Sequence, residues 1–517
     1  MQAARKALLD AITSGSEQTY LECARTLVLR GDLQTALGVF SAGFSRYPDS
    51  GELCLGMAGL NWELQQPAQA EALLRAWLAQ HPHDVAATFL LTRLLREQGR
   101  MHAAVAAIHA LFSHGRQDAE TVIQAVEMLD DYARPSDAAM LCEAEIVAGS
   151  TDPRIHAYAG MLSIQLGMFE RVRERYTFAL DHEPQAVNWN IPIGLSSLQR
   201  YRDAQHPDFA LFRALLERPL LNDGTRTTTL FAIGKAYDDI GDFAQAVRYL
   251  SEANARAHAN SNWSRKQWNR IIEARIASSP YPYKLAEPTD WIPVFVVGVP
   301  RSGTTLLADQ LARYPQVCHR GELGWLQVVA ERLPLDNPPN QASLEEAAAI
   351  YAAQLKQDDS QAHWYIDKQP LNLLYVDLIM ALWPNARIIH CRRDARDTAL
   401  SLWMQSFHDR AHDYAYDLHD IAAVIQGCRR LMKHWEERYP ASIRTVQYET
   451  LVTAPDENIA SLAEWLALPE TPQSGQPNRS ISTASVWQAR QPIYTRSAGR
   501  WRDYAPYLPD LMRIPEH

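Results

Sequence analysis

The sequence predicts a helical repeat array followed by an α/β domain built around an anion-binding loop. Two observations point there: turn-forming residues recur every 34 positions through the first half, and an apolar run near residue 294 breaks into a glycine-bracketed turn. A third sets the scale, since 517 residues suffice for two or more domains with their own cores.

Composition narrows the classes. The chain is 47% hydrophobic and 21% charged, the balance of an ordinary soluble protein. Its 50 Lys and Arg against 60 Asp and Glu leave a formal charge of −10, which argues against a nucleic-acid partner because phosphate backbones demand basic surfaces. The six cysteines, at 23, 54, 142, 318, 391 and 428, form no C-x-x-C pair, so neither a zinc site nor a disulfide framework is indicated, and a reducing compartment fits. The first ten residues lack the apolar core of a secretory leader, and no run approaches the ~20 apolar residues of a membrane span. The expectation is a cytoplasmic protein without a membrane span.

In the first half, turn positions fall at Gly31, Gln65, Gly99, Ala133 and Gly167, each 34 residues from the last. Five residues after each lies Ala36, Ala70, Ala104, Ala138 or Val172, and prolines at 48, 82 and 184 keep the same register. A small residue lets paired helices approach closely, and a proline ends the second helix. These segments resemble tetratricopeptide repeats. A further copy at 231–246 puts Gly241 out of step, so residues 205–209 are expected to carry an insertion, within about seven helix pairs over 1–260. By that resemblance the concave face holds a peptide or protein partner; the alternative is a platform or homodimerisation surface for the second half. Residues 261–290, with a short basic and aromatic helix and then Ser278-Ser-Pro-Tyr-Pro-Tyr283, read as a helical linker to a domain over 291–517.

That domain opens on Val294-Phe-Val-Val-Gly-Val-Pro-Arg-Ser-Gly-Thr-Thr305, expected as strand, turn and helix start. Backbone N–H groups left free at such a helix start face one small volume suited to an anion. The spacing from Gly298 to Gly303 is that of the G-x-x-x-x-G-K-[ST] phosphate loop, but Thr304 stands where the lysine belongs and the basic residue is Arg301. With no acidic strand end dedicated to Mg²⁺ either, a nucleoside triphosphatase loses the groups that neutralise its β/γ-phosphates. A single phosphate bearing a sulfuryl group carries less charge.

Further along, Glu322 lies between two glycines, as a projecting carboxylate or a solvated loop glutamate. Lys368 follows a short strand at 364–366, as a ligand-facing group on the carboxyl edge where open α/β sheets bind ligands or as a surface lysine. A helix is expected near 344–355, an apolar helix over 371–382, a strand over 386–391, and a final strand over 443–452. Arg393 sits in the entry to a helix beginning near Ala395, eight residues before Ser401, so the two can share one phosphate. Two basic strand-to-helix turns suggest a ligand with two separated phosphates; the alternative for the second is a solvated charge run on one helix.

Together, Pro300-Arg-Ser-Gly-Thr-Thr305, Ile366-Asp-Lys-Gln-Pro-Leu-Asn372 and Arg393-Asp-Ala-Arg-Asp-Thr-Ala-Leu-Ser401 resemble the signatures of sulfotransferases that use 3′-phosphoadenosine 5′-phosphosulfate. Within that family the chain looks most like the bacterial tetratricopeptide-linked branch and, more distantly, the protein-tyrosine sulfotransferases. The resemblance implies a parallel-sheet sulfotransferase domain working without a metal. It places the 5′-phosphosulfate on Arg301, Ser302, Gly303, Thr304 and Thr305, the 3′-phosphate on Arg393 and Ser401, and Tyr448 near the nucleotide. Glu322 falls at the catalytic base position and Lys368 at that of the transition-state lysine. Ser485, Arg490 and Arg500 fall in a C-terminal segment that closes over the 3′-phosphate side. The chain departs from the pattern at Ala395, where proline is common, and at Gln405, where tyrosine-modifying members carry an arginine. A kinase with a similar loop and a repeat scaffold with an inactive second half are the competing classes.

Overall fold

The computed structural model describes residues 15–219, 221–281, 284–285, 291–333, 340–407, 409–468 and 493–516. Its backbone separates into two compact units, Met1–Tyr132 with Gln357–Asp359, and Ala133–Lys356 with Ser360–His517.

The first unit holds helices α1 (Glu17–Leu29), α2 (Leu33–Arg46), α3 (Gly51–Glu63), α4 (Pro67–Gln80), α5 (Val85–Glu97), α6 (Met101–Ser113) and α7 (Ala119–Asp131). Short polar side chains start many of them: Ser16, Asp32, Ser50, Asp84 and Asp118 each accept from a backbone N–H of the first turn. The period-34 turn positions do turn left-handed, with φ of +77° at Gly31, +59° at Gln65 and +69° at Gly99. The small residues five positions on, Ala36, Ala70 and Ala104, are buried, so a larger side chain at any of them forces its helix pair apart.

The second unit continues the pattern with α8 (Pro135–Val147), α9 (Pro153–Leu166) and α10 (Phe169–His182), where Ala133 and Gly167 take φ of +57° and +75°. Gln65 and Ala133 carry a side chain in this conformation, at a cost of about 1–2 kcal/mol each that packing must offset. The short helices α11 (Ile191–Ser196) and α12 (Pro207–Leu216) interrupt the register before the hairpin α13 (Asp223–Asp239) and α14 (Phe243–Ala259). The expected insertion at 205–209 lies at the start of α12.

Within the 261–290 segment, α15 (Arg265–Ala277) packs on a long helix of the α/β domain. Trp268 donates from Nε1 to the Ala423 carbonyl at 3.2 Å, and a Cβ at Gly427 would stand 2.5 Å from that same nitrogen. Arg265 adds a 2.5 Å ion pair with Asp420.

The α/β domain follows: β1 (Ile292–Gly298), α16 (Thr304–Leu311), β2 (Val317–His319), α17 (Trp325–Arg332), α18 (Gln341–Lys356), β3 (Trp364–Asp367), α19 (Val376–Leu382), β4 (Arg387–Arg392), α20 (Ala395–Trp403), α21 (Leu418–Arg438), β5 (Ile443–Gln447), α22 (Tyr448–Thr453), α23 (Pro455–Leu466) and α24 (Trp501–Tyr504). The five strands are parallel in the order β2-β3-β1-β4-β5. β1 is therefore central and flanked by β3 and β4, where strand order reverses and ligands bind in such sheets. Both faces of β1 are covered, Val294 and Val296 by one apolar cluster and Phe295 and Val297 by another. The second cluster also contains Phe231, Ile233 and Leu250 of α13 and α14, so the last repeat and the sheet domain share a core. Among the described residues no helix is long and apolar enough to cross a membrane.

Local details differ from the sequence reading. The apolar 371–382 segment divides into a 3₁₀ turn at Pro370–Tyr375 and α19. β2 is a three-residue strand too short to show periodicity. The last strand stops at Gln447, and Tyr448 begins a helix rather than extending the sheet.

Candidate active site

The phosphate loop depends on close approach at both of its glycines. At Gly298, paired with Cys391 of β4, a Cβ would lie 2.4 Å from the Cys391 carbonyl oxygen. Gly303, with φ +99°, caps α16, and a Cβ there would stand 2.4 Å from the ring of Tyr448. We expect Gly303→Ala to combine backbone strain with overpacking, roughly 1–3 kcal/mol. A lower thermal midpoint together with weakened nucleotide binding is the expected result, and an unchanged midpoint with unchanged affinity contradicts this placement of the ring.

Arg301 is itself left-handed, at φ +73°, and its Nε donates to Ser401 Oγ at 3.0 Å. Ser401 lies near the end of α20, whose first turn is capped by Asp394. Arg393, just before that cap, donates from Nη1 to the Arg301 carbonyl at 3.0 Å and from Nη2 to the Ser497 carbonyl at 2.6 Å. Its guanidinium lies 4.7 Å from the centroid of Tyr448, whose hydroxyl is 2.7 Å from Ser497 Oγ. The two basic turns, 92 residues apart in sequence, thus share one site.

These groups line a cavity of 550 Å³ that also takes in Gly303, Thr304, Thr305, Gln405, Arg496 and Arg500. Its opposite wall comes from the repeat side, with Arg200, Lys235, Asp238, Asp239 and Gly241. Three of its carboxylates are engaged by protein donors: Asp238 by Arg500 and the Tyr504 hydroxyl, Asp239 by Lys235 at 2.7 Å, and Asp397 by the N–H groups of Gly499 and Trp501 at 2.5 and 2.9 Å. By formal charge the six Lys and Arg of the lining outnumber its four Asp, so the cavity is net cationic. Burial, then the neighbouring Arg393 charge, lowers the Arg301 guanidinium to about 10. An anion placed between the two arginines favours their charged forms and so offsets both effects. Arg393 Nε is buried here without a hydrogen-bond partner; Ser302 Oγ is likewise unpartnered, but Ser302 lies buried behind the loop and does not line the cavity.

Glu322 and Lys368 form a second group at the same sheet edge. Phe295 of β1 pairs with Asp367, so Lys368, the next residue, lies one strand from the phosphate loop. Lys368 is wholly buried, and its Nζ is ion-paired with Glu322 Oε1, whose side chain is 34% exposed. The Lys368 N–H donates to the Gly321 carbonyl at 2.9 Å, and Leu323 N–H to Asp367 Oδ1 at 3.2 Å, which fixes the Glu322 loop on the strand end. Asp367 also accepts from Asn372 at 2.7 Å and from the Tyr351 hydroxyl, while burial pushes its carboxyl up to about 7. Glu322 and Lys368 do not line the 550 Å³ cavity.

Of the residues singled out in the sequence, Ser485 and Arg490 lie outside the described residues. Arg500 reaches the cavity wall, where its partner is Asp238 of the repeat hairpin. Gln405, which broke the sequence pattern, lines the cavity without a charge, and Arg496 and Arg200 are cations there that no motif marked.

The fold and this site define a phosphate-loop α/β domain with a cationic cavity at its carboxyl edge, closed on one side by helical repeats. Residues 293–472 match the model of the Sulfotransferase family, and residues 27–84 that of the tetratricopeptide repeat, so the chain carries a sulfotransferase domain behind a helical repeat region. An uncharacterized protein of Aquifex aeolicus is 27% identical over 545 residues, spanning 96% of this chain and 69% of that one. The protein-tyrosine sulfotransferase of Drosophila melanogaster is 24% identical, over 47% of this chain and 46% of its own length. Among solved structures, the sulfotransferase domain of the Synechococcus PCC 7002 olefin synthase aligns at 20% identity over 46% of this chain and 98% of that one, with a TM-score of 0.33.

Proposed function

We propose that this chain transfers a sulfuryl group from 3′-phosphoadenosine 5′-phosphosulfate to an acceptor hydroxyl, a tyrosine or other hydroxyl of a peptide or protein being the acceptor class favoured. The observation that carries the reading is the meeting of the two basic turns in one cavity, Arg393 donating to the backbone of Arg301 and Arg301 to Ser401. Arg301, Thr304, Thr305, Arg393 and Ser401 line that one cavity with the donors a doubly phosphorylated ligand needs. The likeness to a protein-tyrosine sulfotransferase and the repeat array favour the acceptor class.

When bound, the donor nucleotide supplies the sulfuryl group. Arg301, the loop N–H groups and Thr304 and Thr305 hold its 5′ end, and Arg393 with Ser401 its 3′-phosphate. Glu322 takes the proton of the acceptor hydroxyl as the acceptor oxygen bonds to sulfur, a contribution of roughly 10² to 10⁴ in rate. The bond from sulfur to the 5′-phosphate oxygen breaks, and its electron pair stays on that phosphate. Lys368 and the loop donors stabilise the charge developing there.

The test pairs thermal unfolding with transfer of labelled sulfate. The adenosine bisphosphate product at about 100 times its Kd is expected to stabilise the protein by about 2.7 kcal/mol, and label is expected on tyrosine-containing peptides. Stabilisation by ATP with Mg²⁺ instead overturns the donor assignment and favours a kinase. Label found only on carbohydrate or small metabolites overturns the acceptor assignment. Bisphosphate binding with no transfer to any acceptor favours an inactive scaffold.

A further inference from the structure

The cavity wall N-terminal to the sulfotransferase match is built by the last repeat hairpin together with Arg200 before it. Asp238, near the end of α13, is 11% exposed at its side chain and accepts from both the Arg500 guanidinium and the Tyr504 hydroxyl. Tyr504 is fully buried, with its ring 5.0 Å from Phe243 at the start of α14. Burial by itself lowers the Arg500 guanidinium; Asp238 and Tyr504 outweigh it and raise the group. Beside this contact Lys235 satisfies its three protons on Asp239 and on the carbonyls of Ser196 and Gln199, which ties α13 to the end of α11 and the turn after it. In α14, Asn254 donates to the Trp403 carbonyl at 2.9 Å, at the end of the helix that carries Ser401.

The segment 493–504 is thereby anchored from three directions. Arg393 and Tyr448 hold Ser497, Asp397 holds the N–H groups of Gly499 and Trp501, and Asp238 holds Arg500 and Tyr504. The first two anchors belong to the phosphate-binding turns and their helix. The third belongs to the repeats.

We infer that Asp238 is a positioning residue of the nucleotide site, through which the last repeat hairpin holds segment 493–504 across the cavity on the side of the 3′-phosphate. The inference rests on the nucleotide reading given under Proposed function. It gives the repeats a task beyond partner binding or passive support: completing the donor site. Without the Asp238 carboxylate, Arg500 lacks its counter-charge and the segment occupies its binding position for a smaller share of the time. Apparent affinity falls in proportion to that share.

The experiment is calorimetric titration of full-length wild type, Asp238→Asn and Tyr504→Phe with the adenosine bisphosphate, alongside donor kinetics and trypsin cleavage at Arg496, Arg500 and Arg502. The expected result for Asp238→Asn is a loss of affinity of roughly tenfold, matched by a rise in donor KM at nearly constant kcat. The bisphosphate is expected to suppress cleavage of the segment in wild type and to do so poorly in the variant, and Asp238→Glu to recover part of the affinity. Tyr504→Phe removes one hydroxyl, keeps the fold if Asp238→Asn does not, and is expected to shift affinity in the same direction by less. Wild-type protein that does not bind the bisphosphate overturns the nucleotide reading itself. Wild-type binding with both variants unchanged in affinity and protection overturns only the role of Asp238.

Discussion

Glu322→Gln is expected to lower the rate of sulfuryl transfer by roughly 10²- to 10⁴-fold while leaving affinity for the adenosine bisphosphate unchanged. The separation follows from where the side chain sits. Glu322 is outside the 550 Å³ cavity, so nothing that grips the nucleotide is touched. The substituted amide oxygen can still accept from Lys368 Nζ, and the loop remains pinned by Leu323 N–H on Asp367 and by Lys368 N–H on the Gly321 carbonyl. Geometry is kept and the proton acceptor is lost. Single-turnover rates at saturating donor are the measurement, and a rate within a few-fold of wild type contradicts the assignment.

Arg393→Ala is expected to act on the opposite property. It removes donors to the Arg301 and Ser497 carbonyls, a cation over the Tyr448 ring, and the buried Nε left unpartnered. Losing a partly buried, hydrogen-bonded charge from a binding site costs about 2–5 kcal/mol, which corresponds to a fall in bisphosphate affinity of roughly 30-fold to a few thousand-fold. Arg393→Lys restores charge without the planar fork and is expected to recover only part of the loss. Calorimetry that finds Arg393→Ala binding as tightly as wild type contradicts the 3′-phosphate assignment.

Much of this site was legible because its pieces are local. The break at Gly298 and the restart at Gly303 can be read from adjacent residues, and the structure shows why glycine is needed at each: a carbonyl of β4 and the ring of Tyr448 fill the space of a side chain. The repeat turns were legible for the same reason. A period of 34 marked Gln65 and Ala133 as turn positions although neither is glycine, and both take positive φ.

What escaped the sequence was produced by tertiary closure. Nothing near Lys235 or Asp238 distinguishes them from ordinary charged positions on a repeat helix; they reach the cavity because α13 and α14 share a core with the sheet domain. Arg500 was expected beside the 3′-phosphate, and its counter-charge from the repeats had no local signal. The turn at Tyr448 was missed because an apolar and aromatic run has strand character, and only the approach of its ring to Gly303 shows why the chain bends there. Arg496 and Arg200 lie outside every motif, yet they line the same cavity in which Gln405 stands without charge.

The central claim is that two cationic turns grip the two phosphorylated ends of one adenosine nucleotide. Calorimetric titration of wild type with 3′-phosphoadenosine 5′-phosphate and, in parallel, with adenosine 5′-monophosphate tests it most directly, because the two ligands differ only in the group assigned to Arg393 and Ser401. The account predicts that the bisphosphate binds at least about 30-fold more tightly, the value of one lost charged contact of about 2 kcal/mol. Equal affinity for the two ligands, or no measurable binding of either, would contradict it.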